Sequence, residues 1–313
     1  MELRQLRYLI GVCEAGGVLA ASRTLHVAQP ALSQSIAALE EELGVQLFVR
    51  SNRGMALTPE GRTLVEHAHV VLADVERARH AVHSLSSDVG GEVSLGLPTT
   101  VALVATLPIL QATRARFAHL KLKIIESHSG FLGEWLDAGR LDLSVLFVSG
   151  NESAFECRPL LSEKLGLVTL AHDAPPGKET SLYSLAQRPL LLPSKEHGLR
   201  RIIDRVCAQH GVELDVIAEV DSLPNMKKAV RAGMGATILS PGALADDLDD
   251  GALVMTTISA PHISRQVACA TSVKRPVTPA TAAMIAIVTE QIEGLVRSGA
   301  WPAQWIAPQR PGR

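Results

Sequence analysis

The residues best suited to chemistry lie near the start of the chain. Gln29, Pro30, Ser33 and Gln34 sit within a few residues of one another, and Arg50, Ser51, Asn52 and Arg53 follow. A glutamine amide can bond an adenine edge in bidentate fashion, and a serine hydroxyl can donate or accept at a base edge or a phosphate. The two arginines suit phosphate or minor-groove contact. Elsewhere reactive patterns are sparse. Ser194 and His197 are three apart, but there is no G-x-S-x-G elbow, H-E-x-x-H pair or phosphate-binding loop, so catalysis ranks well below binding. Cys13, Cys157, Cys207 and Cys269 are the only cysteines and form no C-x-x-C pair. A metal site and a disulfide framework are both disfavoured, and no cofactor is expected.

The elements that must carry the first group can be read from spacing. Leu6, Leu9, Ile10 and Cys13 make one face of a helix over 4–13, which Gly16 and Gly17 end. Residues 18–25 form a second short helix with Ala20 and Ala21 open to close packing, and 26–28 a tight turn. Pro30 opens a third helix, where its missing N–H costs nothing. Leu32, Ile36, Leu39 and Leu43 form its buried stripe, and Gly44 ends it. Gln29, Ser33, Gln34 and Ala37 fall on the other face, with Glu40, Glu41 and Glu42 at the far end. Two helices joined by a tight turn can place the second in the major groove, N-terminus first. Leu47 and Phe48, followed by the Arg50–Gly54 segment, suit a wing. Periodicity alone leaves a plain three-helix packing unit equally open. Charge does not decide it: five arginines and five glutamates cancel over residues 1–58, and the whole chain carries −2. Any DNA contact rests on where charges sit rather than on their sum.

Thr58 and Pro59 read as an N-cap and first helical residue. From there a helix is predicted to about Ser87, with Leu64, Ala68, Val71, Val75, Ala78, Val82 and Leu85 spaced as a heptad seam that asks for a partner helix. After Gly90 and Gly91 strands and helices alternate, the pattern of an α/β architecture. Strands are expected at 92–97, 120–126, 142–147, 163–171, 188–194, 214–220, 235–240 and 263–273. Helices are expected at 101–117 with a bend at Pro108, at 131–139, 198–211, 222–233 and 279–298. The tail from Gly299 reads as loose. At 313 residues, 47% of them hydrophobic, the chain has material for two or three well-packed domains. No apolar run is long enough to span a membrane and the start lacks a secretory pattern, so the expected compartment is the cytoplasm.

The run from Leu25 to Gly61 resembles the LysR-type transcriptional regulators. Gln29, Pro30, Ala31, Leu32, Ser33, Ile36, Leu39, Glu40, Leu43, Gly44, Leu47, Phe48, Arg50, Arg53, Leu57, Thr58 and Gly61 all match that family's pattern. Ala28 departs from it, standing where many members carry a capping Ser or Thr. Segments such as GLPTTVA, ESHSG, EWLDAGRLDLSVLF and LPSKEHGLR are similar to the branch containing nitrogen assimilation control regulators. The resemblance covers residues 1 to about 298. It implies a winged helix-turn-helix over 1–58, a dimerisation helix over 59–89, and over 90–298 a two-lobed α/β regulatory domain like a type 2 periplasmic binding protein, with 299–313 a tail. In that fold an effector sits between the lobes, at strand ends and helix N-termini. Thr99, Thr100, Ser129, Phe147, Ser194, His197, Arg200 and Ser222 map there and as a group suit a small polar or anionic molecule; taken singly, each hydroxyl reads rather as a helix cap. The implied partners are double-stranded promoter DNA, RNA polymerase, an effector, and copies of the chain in a homodimer or homotetramer, with no membrane. Three rival readings are an enzyme, a redox sensor working through Cys207, and a ligand-transport protein.

Overall fold

The computed structural model describes residues 1–51, 54–83, 89–148, 153–244 and 251–306. They fall into two compact units, one built from Met1–Ser86 with Ala138–Arg140, the other from Ser87–Asp137 and Leu141–Arg313.

In the first unit α1 (Leu3–Ala15) buries Leu6, Leu9 and Val12 and stops at Gly16, which takes the left-handed conformation. The inward stripe runs through Val12, with Ile10 and Cys13 only half-buried at its edge. Next come α2 (Val18–Thr24) and α3 (Gln29–Leu43). Leu32, Ile36 and Leu39 are buried on α3, but Leu43, expected as the fourth member of the stripe, is 40% exposed. It lies in the last turn, beyond the three-helix core. A two-stranded antiparallel hairpin follows, β1 (Phe48–Ser51) and β2 (Gly54–Leu57), and then α4 (Pro59–His83). The Thr58 hydroxyl caps α4, accepting from the Gly61 N–H at 2.9 Å and donating to the Gln46 carbonyl at 2.7 Å. A Cβ on Gly61 would lie 2.1 Å from the Leu47 carbonyl oxygen, so only glycine allows α4 to seat against that loop.

The heptad seam divides. Leu64, Ala68 and the off-seam Leu72 join the first unit's own core, so this stretch is satisfied at home. Val71 and Ala78 remain exposed. The extension to Ser87, and the Val82 and Leu85 side chains, lie outside the described residues.

The second unit runs β3 (Gly91–Pro98), α5 (Thr99–Arg116), β4 (Leu120–Ser127), α6 (Ser129–Asp137), β5 (Leu143–Val148), β6 (Phe155–Lys164), β7 (Gly166–Leu170), β8 (Glu179–Ser181), β9 (Leu190–Leu192), α7 (Gly198–Gln209), β10 (Val216–Glu219), α8 (Leu223–Arg231), β11 (Thr237–Leu239), β12 (Leu253–Ser259), β13 (Ser264–Ser272), α9 (Pro279–Arg297) and β14 (Gln304–Trp305). It has two lobes. The first holds a six-stranded mixed sheet, ordered β14-β6-β13-β5-β3-β4, whose core is shared with α5 and α9. The second holds a four-stranded sheet, ordered β11-β7-β12-β8, beside the parallel pair β10-β9, with α7 and α8 on its core. The chain leaves the first lobe along β6 and returns along β13, and these strands pair antiparallel from Ser264 opposite Lys164 to Ser272 opposite Phe155.

Several boundaries differ from the expectations. The predicted strand over 163–171 is two strands broken at Leu165, where the chain changes lobes. The strand β12 was not read from the sequence at all, and neither was β6 before Glu163. The tail is not loose over its first part: Trp301 is 1% exposed, and β14 pairs with β6. A large aromatic side chain gains enough from burial to hold such a segment down. Residues 307–313 lie outside the described set.

Candidate functional site

Two regions collect the polar groups singled out from the sequence. The first is the exposed face of α3. Gln29, Pro30, Ser33 and Gln34 are all exposed there, opposite the buried Leu32–Ile36–Leu39 stripe. Ala28 occupies the N-cap position and no side chain caps the helix, so the first-turn N–H groups keep free donor capacity. Glu40 is not one of a solvated acidic cluster. Its Oε1 accepts from the Leu47 N–H at 2.7 Å and the Phe48 N–H at 3.2 Å, which fixes the hairpin entry to α3. Arg50 lies on β1; Arg53 is outside the described residues. The arrangement presents short polar side chains on a rigid convex helix, with a hairpin held beside it.

The second region is the cleft between the two lobes of the second unit. A cavity of about 690 Å³ opens there, within the range of small-molecule sites. Ser129 and Phe147 of the first lobe line it, as do Arg201 and Arg205 of α7 and Arg265 of β13. Among the described residues no carboxylate lines it. Arg201 and Arg205 are one helical turn apart and have no ion-pair partner among the described residues. Unpaired like charges at this spacing repel, so the cavity favours an anion.

The expected cleft residues separate on inspection. Ser129 opens α6, and its Oγ accepts from the Phe147 N–H at 3.3 Å. Thr99 and Thr100 open α5, half-buried. The Ser194 N–H donates to Asp221 at 2.9 Å, and that bond, ahead of other causes, holds the Asp221 carboxyl below its usual range. His197 is the N-cap of α7, its Nδ1 accepting from the Leu199 N–H at 3.1 Å. Its ring meets that of His128 edge-on across the cleft, centroids 4.6 Å apart. Burial first, then His128, push the His197 pKa down to about 4, with Arg265 and Arg201 adding to the shift and Asp221 opposing it. Arg200 does not line the cavity. It is 6% exposed and is spent on its own lobe, donating to Asp204, to the Pro193 carbonyl and to Glu219. The adjacent arginine, Arg201, is the one the helix turns toward the cavity. Ser222 stands at the N-cap position of α8 but makes no capping bond through its side chain and is exposed.

Sequence reasoning passed over Arg265 and Glu163. Arg265 Nε donates to Glu163 Oε1 at 2.6 Å, with both side chains nearly inaccessible. Its Nη2 donates to Thr100 Oγ1 at 2.9 Å and Ser240 Oγ at 2.8 Å. The guanidinium carbon sits 3.7 Å from the Phe147 ring centroid, a cation–π contact. Glu163 Oε2 accepts from the Trp301 indole N–H at 2.8 Å.

Cys207 and Cys269 are not activated as nucleophiles. Burial pushes the Cys207 thiol up to about 11 and that of Cys269 up to about 12. Cys157 belongs to a different core cluster from Cys269, on the opposite face of the sheet. No group of three or more His, Cys, Asp or Glu among the described residues could hold a metal ion.

Residues 3–62 match the family model for the bacterial regulatory helix-turn-helix protein, lysR family, and residues 86–293 match the LysR substrate binding domain. The nitrogen assimilation regulatory protein nac of Klebsiella aerogenes is 33% identical over 280 residues, 89% of this chain and 91% of that one. Its counterpart in Escherichia coli K12 is 35% identical over 244 residues, 78% and 79% of the two chains. Among solved structures, a full-length OxyR variant from Pseudomonas aeruginosa superposes with a TM-score of 0.72 at 23% identity, covering 99% of each chain. Full-length CbnR complexed with its target DNA gives 0.72 at 23% identity, covering 93% of this chain and 100% of that one. At those identities the two structures speak to the fold.

Proposed function

This chain belongs to the LysR family of bacterial DNA-binding transcriptional regulators, and on that premise we propose that a small anionic effector in the inter-lobe cavity controls it. The observation that carries the proposal is the cavity wall: Arg201, Arg205 and Arg265 converge on about 690 Å³ with no carboxylate among the described lining residues. His197, kept neutral by its surroundings, can take up a proton when a negative charge arrives beside it.

In this reading α3 enters the major groove. Gln29, Ser33 and Gln34 meet base edges, Pro30 sets the helix start, and Arg50 and Arg53 hold the backbone from the wing. The exposed Val71 and Ala78 on α4 suit a second copy of the helix, which would space two recognition helices for a dyad-symmetric site in a homodimer or homotetramer. Residues 1–58, 59–89 and 90–298 are then the reading, dimerising and sensing segments. Effector binding shifts the population between two arrangements of the copies, changing their grip on promoter DNA and on RNA polymerase. No helix among the described residues is long and apolar enough to cross a membrane; the cytoplasm as the place of work follows from the promoter-DNA role proposed here. The nac relatives support a role in nitrogen-responsive transcription.

The experiment has two stages. Genomic DNA bound by the full-length chain is first recovered at physiological salt, and short dyad-symmetric sites upstream of a few operons are expected. The affinity for such a site is then measured against a panel of di- and tricarboxylates and phosphorylated metabolites. One of them is expected to change it, and Arg201→Gln with Arg205→Gln to abolish the response. A response that survives both substitutions would place the effector elsewhere. Ser33→Ala is expected to weaken the operator ~10-fold or more while leaving non-specific binding unchanged; equal affinity for the operator would remove Ser33 from base reading.

A further inference from the structure

We propose that Arg265 registers the cleft's occupant: one guanidinium ties the two lobes together, with Glu163 as its fixed counter-ion behind and the effector's anionic group in front. The proposal rests on the anionic reading of the cavity and goes beyond it by naming how occupancy reaches the lobe angle.

The geometry is specific. Thr100 opens α5 in the first lobe, and Ser240 follows β11 in the second. Both hydroxyls accept from the same nitrogen, Arg265 Nη2. Arg265 itself sits at the start of β13 and Glu163 at the end of β6, directly opposite one another in the two strands that cross between lobes. The guanidinium is therefore at the pivot. Its Nε is taken by Glu163 and one face is covered by Phe147, while its Nη1 has no acceptor among the described residues. Arg265 also lines the cavity. An anion can thus bind Nη1 without displacing any existing partner.

The back of the pair is equally fixed. The second Glu163 oxygen takes the Trp301 indole N–H, so the carboxylate cannot follow the guanidinium forward. A buried ion pair is costly to break because the remaining charge is left uncompensated. Without the Glu163 charge, the site would demand an external anion to neutralise Arg265. With it, the resident pair is neutral and the anion biases the guanidinium's position. Arg265 is in this sense both a ligand contact and a positioning residue for Thr100 and Ser240.

The test uses the full-length chain and inorganic phosphate as probe. Glu163→Gln is made in a Trp301→Phe background, since a glutamine amide would otherwise face the indole donor. Melting midpoints are followed against phosphate, with ionic strength held by sodium chloride. W301F alone should show a shallow rise. W301F/E163Q should start lower and climb further over the same range, by about 4 °C or more, and adding Arg265→Gln should flatten the climb. Parallel curves for W301F and W301F/E163Q overturn the proposal. A phosphate response lost in R201Q/R205Q yet untouched by R265Q also overturns it, while leaving the anionic cavity standing. No response in any variant overturns both. Should E163Q fail to fold, Arg265→Lys keeps the charge and loses the fork. It is expected to lose most of the phosphate stabilisation seen in the wild type, and an unchanged response refutes the role of the guanidinium.

Discussion

Replacing Glu40 with alanine should loosen the entry to the hairpin while leaving α3 formed. The carboxylate accepts from two consecutive backbone N–H groups, Leu47 at 2.7 Å and Phe48 at 3.2 Å. Hydrogen bonds to a charged acceptor contribute about 1.5–3 kcal/mol each. Glu40 is half-buried and water can reach the freed donors in part, so the lower end applies to the shorter bond and less to the longer one. A loss of ~2 kcal/mol follows for local opening, which is ~30-fold in an equilibrium constant. Amide hydrogen exchange reads this directly, because exchange at a locally opening site tracks that equilibrium. The Leu47 and Phe48 amides should exchange ~30-fold faster in Glu40→Ala, and their neighbours on α3 should not. Glu41, one residue on and exposed, is the control. If Glu41→Ala accelerates the same two amides equally, or Glu40→Ala leaves them protected, the assignment of Glu40 as the tie between α3 and the hairpin is wrong.

Gly61→Ala forces a methyl to within 2.1 Å of the Leu47 carbonyl oxygen, an overpacking against backbone that should cost about 2 kcal/mol or more; an unchanged denaturation midpoint of the first unit would contradict the seating of α4. His197, with its pKa pushed from 6.5 down to about 4, binds fewer protons folded than unfolded between those values. Its contribution to stability is therefore whole above pH ~6.5, declines as pH falls toward 4, and is level below. His197→Gln should flatten that part of the stability profile, and an identical acid limb in the variant would reject burial of His197 as its cause. Cys207 and Cys269, with thiols raised to about 11 and about 12, should resist alkylation at pH 8 until the chain is denatured. Rapid labelling of either in the native state, with a change in operator binding, would revive a redox role.

Much of this architecture was legible because its signals are local. Pro30, the Leu32–Ile36–Leu39 spacing and Gly44 define α3 within fifteen residues, and the Thr58–Pro59 pair marks the start of α4 directly. The alternation of strands and helices after Gly91 marked the α/β class, while the division into two lobes came only with the family resemblance. What escaped depended on distant partners. Glu40 looked like one of three surface acids, and only its two backbone donors reveal it. Arg265 lies in an alternating run, where a charged residue reads as facing solvent. Its burial follows from crossing between lobes, and its counter-ion is 102 positions earlier. Arg200 and Arg201 are indistinguishable in composition, and a rotation of one residue around α7 decides which lines the cavity. Trp301 was passed over with the prolines around it. Its pocket is assembled largely from α5, α9 and the strands of the first lobe.

The return of the chain through β13 has a consequence for biosynthesis. The second lobe is one unbroken stretch, with every strand of its four-stranded sheet between Gly166 and Ser259. The first lobe is split around it, and β13, which sits between β6 and β5 in the middle of its sheet, comes after that whole stretch. On the ribosome the second lobe can therefore complete its core while the first still lacks a central strand, α9 and Trp301. The pairing of β13 with β6 also closes over an already folded insertion, so the first lobe bears the slower, long-range step. A chain cut short before Ser264 would keep a foldable second lobe and leave the first with an open sheet edge at β5 and with β6 stripped of both its neighbours, ready to pair with other chains.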